Sequence, residues 1–175
     1  MPASAYWIDG LLEQLQASGP EGADTARYLR EHHVRLGFRQ QPTAARWTLG
    51  RGIDLHPRYA QGTAQSAYAL SLLIHEAQHL RQGIFIALSV YGELEAWQSQ
   101  FRFLGRMTED DRAAAPRPDL IDQLLRLPLS WDRTELGRAR NLMQAYAGPR
   151  YRVDLLPLYP LPREILYALA PRTSL

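Results

Sequence analysis

Apolar residues recur at helical spacing at Trp7, Ile8, Leu11, Leu12 and Leu15, which predicts a helix over 7–17 that Ser18-Gly19-Pro20 ends. The pattern continues into a second helix over 24–36, stopped by Gly37. Trp47, Leu49, Ile53 and Leu55 then alternate about Gly50-Arg51-Gly52, which reads as two short strands joined by a turn, with His56-Pro57 ending the second. A long helix over 64–82 follows, opened by Gly62-Thr63 and closed by Gly83. Its stretch 67–74 is apolar almost all round, the mark of a buried, central element. Val90, Leu94, Trp97, Phe101 and Leu104 stripe a helix over 86–106. Beyond an acidic, proline-punctuated connector at 108–118, helices are expected over 120–127 and 131–147, the latter capped by Ser130. The proline-rich tail from Gly148 should wrap the body irregularly, with one short helix at 163–169. The expected fold is α+β and mostly helical, a single domain over 1–175. It divides into N-terminal helices at 1–37, a core at about 47–106 and a helical extension at 108–175.

Composition narrows the chemistry. A length of 175 residues with 46% hydrophobic side chains suits one ordinary domain with a real core and argues against disorder. The chain has no cysteine, which excludes disulfides, a thiolate nucleophile and thiolate metal sites, so any metal must be held by His, Asp or Glu. No apolar run approaches the roughly 20 residues that span a bilayer. The first ten residues show neither a basic n-region nor an apolar h-region, so the expectation is a cytoplasmic protein without membrane contact. All 20 basic residues are Arg, side chains suited to carboxylates and phosphates. They are scattered among 18 acids, which favours compositional bias over a nucleic-acid footprint.

The central helix carries His75-Glu76-Ala77-Gln78-His79. A spacing of four puts both imidazoles on one face, one turn apart, where they can share one Zn²⁺. Glu76 lies about 100° round the axis, beside the open position of such an ion rather than on it. A charged cluster in so apolar a helix is costly unless paired or ligating. The competing reading is a hydrogen-bonded pair of core histidines with Glu76 turned to solvent. A third ligand is expected from the following helix, where periodicity favours Glu93 as the inward carboxylate and leaves Glu95 as the alternative, either a ligand or half of an ion pair with Arg102.

His75-Glu76-x-x-His79 followed by Glu93-x-x-Ala96 resembles the gluzincin branch of zinc metallopeptidases, above all its small bacterial members. The resemblance covers about 47–103. It implies a minimal zincin-like core with a small sheet and a Pro-rich C-terminal extension. It also implies Zn²⁺ on His75, His79 and Glu93, Glu76 as general base, and a peptide or protein substrate. The segment Ile53-Asp54-Leu55-His56 looks like the edge strand that aligns an extended substrate above the cleft. Trp97 departs from the family, many of whose members have there an acid bonded to a ligand histidine; Asp54 or a backbone carbonyl are the substitutes to inspect. Oxyanion-stabilising candidates are Tyr151, Tyr159 and Arg150, with Tyr167 and Arg152 behind them. A zincin-like binding or regulatory module without turnover, contacting nucleic acid or a partner protein, and a hydrolase of non-peptide amides are the alternative functions.

Overall fold

The computed structural model describes residues 3–50, 52–59, 67–106, 117–149 and 151–169. The expected start of the long helix at 64–66, most of the connector and Arg150 lie outside them. Helices α1 (Ala3–Ala17) and α2 (Pro20–Glu31) pack as a hairpin. Strands β1 (Arg35–Phe38), β2 (Ala45–Thr48) and β3 (Gly52–Leu55) follow. Next come α3 (Ala67–Gln82), the single turn α4 (Ile84–Ala87) and α5 (Val90–Gly105). The chain then builds α6 (Pro118–Arg126), α7 (Arg133–Ala147) and α8 (Leu161–Leu169). The molecule is thus α+β and mostly helical with one small sheet, and no helix among the described residues is long and apolar enough to cross a membrane.

The second helix ends five residues earlier than its apolar spacing predicts. His32 caps it, His33 turns into the left-handed region at φ 49°, and Arg35–Phe38 becomes a strand. Leu36 fits a helical stripe and a strand alternation equally, and pairing with β3 decides between them. That third strand changes the sheet. The order is β1-β3-β2, with β1 parallel and β2 antiparallel to β3, so β3 is central and not an edge. Ile53 and Leu55 are accordingly 0% and 1% exposed.

The helix expected over 86–106 is broken into α4 and α5. Ser89 is the reason: its backbone is extended and its hydroxyl accepts from the Gly92 amide, capping α5. Gly83, at φ 70°, ends α3 and opens α4. Gly92 lets the two short arms of this corner meet, since a Cβ there would lie 2.1 Å from the Ile86 carbonyl oxygen. The α7 cap is Asp132 rather than Ser130, its carboxylate accepting from the Glu135 amide at 2.9 Å.

Helices α3 and α5 run antiparallel: Gln82 meets Glu95, His75 meets Trp97, and Ser71 meets Gln100. They stand between two cores. One gathers α1, α2, the sheet and α3 around Leu15, Leu29, Ile53 and Leu73. The other gathers α5, α6, α7 and the tail around Leu94, Phe101, Leu136 and Met143.

Candidate metal centre

The polar and charged side chains at the heart of the site come from α3 and α5, because antiparallel packing brings the end of one to the start of the other. His75 and His79 are 6% and 2% exposed. Their Nε2 atoms lie 3.0 Å apart. Glu93 Oε1 is 3.5 Å from His79 Nε2, and Glu93 Oε2 is 3.7 Å from His75 Nε2. Ligand atoms on a tetrahedral ion at about 2.0–2.1 Å stand about 3.3–3.4 Å from one another. The three side chains therefore fit one zinc-sized ion, and among the described residues they are the group of His, Asp and Glu that does so. Glu95 is not part of it. Its carboxylate accepts from Gln82 Nε2 at 2.9 Å, whereas Arg102 bonds Ser99.

Glu93 is held from behind. Trp97 Nε1 donates to its Oε2 at 3.2 Å, and the Tyr151 hydroxyl donates to the same oxygen. Trp97 thus bonds the Glu93 carboxylate, at the position where the resemblance led to the expectation of an acid bonded to a histidine. Tyr151 does reach the site, but its proton goes to Glu93 and not into the cleft. Burial and the Glu93 charge push that phenol well above its ordinary pKa.

Glu76 is not turned to solvent. It is 7% exposed, and its Oε2 accepts from the Trp47 backbone amide at 2.8 Å. Desolvation first, then the Glu93 carboxylate, raises its pKa from 4.5 to about 8; the Trp47 amide and Arg46 act the other way. Desolvation, with His79 alongside, lowers His75 well below 6.5, while Gln100 opposes this. His75 Nδ1 is buried without a hydrogen-bond partner among the described residues. The competing picture of a hydrogen-bonded histidine pair with a solvated Glu76 therefore fails at Glu76, which is buried, while the two imidazoles do stand within hydrogen-bond distance of each other.

These groups open into a cleft of about 440 Å³. Its roof is β2 and the residues before it, and its far wall is aromatic: Tyr68, Trp97, Tyr146 and Tyr151. The strand expected to edge the cleft, Ile53-Asp54-Leu55-His56, does not line it, because β1 and β2 occupy both of its sides. The Asp54 carbonyl serves Gln41, and His56 Nδ1 accepts from the Arg58 amide. The edge over the cleft belongs to β2. Ala44 bonds across to His56, so by alternation Ala45 and Trp47 turn their backbone groups outward, as the Trp47–Glu76 bond requires. Of the other oxyanion candidates, Tyr159 is buried in the second core beside Trp131, and Arg152 is exposed and paired with Asp154. Arg150 and the Tyr167 side chain lie outside the described residues. Compared with known proteins, the chain matches no family model, no curated protein and no solved structure.

Sequence reasoning missed the Trp47 amide, Arg46, Gln82, Gln100 and the Tyr68–Tyr146 wall. Only Gln82 carried a local signal, three residues beyond His79 on the same helical face.

Proposed function

We propose that this chain is a zinc-dependent hydrolase of peptide bonds, related in its chemistry to the gluzincins that its motif resembles. The observation that carries the reading is the convergence of His75 Nε2, His79 Nε2 and a Glu93 carboxylate oxygen at tetrahedral spacing, with Glu76 lining the same cleft. His75, His79 and Glu93 would hold the ion. When bound, Zn²⁺ supplies a Lewis acid that lowers the pKa of water toward neutrality, and its double charge favours the carboxylate form of Glu76. Glu76 then takes a proton from the attacking water as its oxygen bonds to the scissile carbonyl carbon, and delivers that proton to the amine nitrogen as the C–N bond breaks. Tyr151 and Trp97 keep Glu93 oriented throughout. Ala45 on the β2 edge offers its amide and carbonyl to an extended peptide. The aromatic wall suits a bulky apolar side chain beside the scissile bond.

Metal analysis of protein purified without added zinc, followed by turnover of a peptide library, tests this. The expected result is about one zinc per chain, lost in His79→Ala and Glu93→Ala and kept in Glu95→Gln. Glu76→Gln should keep the metal and lose at least about 100-fold in kcat. Full activity in Glu76→Gln refutes the mechanism. Zinc without turnover of any peptide would instead favour the binding module, and turnover of small amides alone the amidase.

A further inference from the structure

The Gln82 side chain is held at both ends. Its Nε2 lies 2.9 Å from the Gly92 carbonyl oxygen and 2.9 Å from Glu95 Oε2. Its Oε1 lies 3.1 Å from His79 Nδ1. A backbone carbonyl can only accept, so the amide group that faces Gly92 must be the NH₂. The oxygen then faces His79, and an amide oxygen can only accept as well. His79 Nδ1 must therefore carry the proton, which leaves the lone pair on Nε2, the atom aimed at His75 and Glu93.

We infer that Gln82 and Glu95 are positioning residues that lock His79 in its Nδ1–H form and thereby prepare Nε2 for the metal, an inference that rests on the zinc reading above. Ligating histidines ordinarily donate their second N–H to a carboxylate or a carbonyl. In this chain the carboxylate sits one step removed, on α5, and acts on the ring through an amide on α3. The relay crosses the α4 corner, so it also ties the orientation of a ligand on α3 to the position of the first turns of α5, which carry Glu93. His75 has no such relay: Gln100 is the side chain that acts on it, and its Nδ1 makes no direct hydrogen bond among the described residues. The two imidazoles are therefore unequal before any ion arrives.

The relay has a signature in metal-free protein. Proton–nitrogen correlation spectra of the His79 ring, recorded with a chelator present, should show Nδ1–H in the wild type and Nε2–H in Gln82→Leu. In competition with a chromophoric chelator for Zn²⁺ alone, Gln82→Leu should bind the ion 10- to 100-fold more weakly. Gln82→Met, which fills the same space without an amide, should match Gln82→Leu in both readouts, which a role in packing alone would not do. Glu95→Leu, which leaves Gly92 to hold the amide, should lose a smaller part of the affinity. An Nε2–H ring in the wild type overturns the inference, as does a Gln82→Leu variant with unchanged tautomer and affinity. Failure of the wild type to take up zinc overturns the hydrolase reading instead, and is read from a separate measurement.

Discussion

Glu76 is a carboxyl group surrounded by apolar helix and by another carboxylate, and its rise to about 8 has a consequence for stability. In metal-free protein between pH 6.5 and 8, folded Glu76 keeps its proton while unfolded Glu76, near 4.5, has lost it. The folded state then binds more protons, so stability falls as pH rises, by about 1.4 kcal/mol per unit or about 2 kcal/mol across that window. His75 works in the opposite sense. Its lowered pKa means that the unfolded chain binds the extra proton, and the resulting loss of stability comes only as pH drops below 6.5. Urea unfolding with a chelator present should therefore show a decline from pH 6.5 to 8 in the wild type and a flat profile there in Glu76→Gln. Between pH 4.5 and 6.5 the two groups offset each other in the wild type, whereas Glu76→Gln loses stability toward acid. A flat wild-type profile would mean that Glu76 is not desolvated as described. The two histidines and Glu76 were legible in the sequence because four-residue spacing on a helix is a local fact. Gln82 is equally local, yet its role depends on a carbonyl and a carboxylate contributed by α5, and nothing in its own neighbourhood announces them.

At the level of elements, the helices were legible wherever one face is apolar, and the errors fall where another element decides. Leu36 and Phe38 became a strand because β3 offered them a partner. That same pairing moved β3 from the edge to the centre and handed the cleft to β2. If β2 is the edge that aligns substrate, only alternate peptide nitrogens of the bound chain face it. N-methylation scanned along a good peptide substrate should then raise KM about 10-fold at every second position and little at those between; uniform sensitivity would remove the strand-pairing role. The α4–α5 corner makes a second prediction. Gly92→Ala places a methyl group where the Ile86 carbonyl oxygen already sits, with no flexible side chain to yield. It should cost about 2–3 kcal/mol in chemical unfolding and weaken zinc binding, because the displaced turn carries Glu93. An unchanged midpoint would show that the corner has slack.

The two cores meet along α3 and α5, and the proposed ligands are split between those helices. Leu70, Leu73 and Ile74 commit α3 to the core shared with α1, α2 and the sheet, whereas Val90, Leu94 and Phe101 commit α5 to the core shared with α6 and α7. The division is incomplete, for Ala67 of α3 packs into the second core and Phe103 of α5 into the first. Apolar contact already couples the halves, but the end of α3 and the start of α5 meet through buried polar groups: two imidazoles and a carboxylate facing inward. A cation held by all three would join the cores at their most polar point. Binding to the folded state alone stabilises it by RT ln(1 + [L]/Kd), about 2.7 kcal/mol at free zinc 100-fold above Kd. For a chain of this length that is about 5–10 °C in Tm. The distinguishing observation is where the protection appears. Hydrogen exchange with and without zinc should slow together in the last two turns of α3 and the first two of α5, because neither helix owns the site. Slowing confined to α3 would mean that the ion sits on the histidines alone and that Glu93 is a neighbour rather than a ligand.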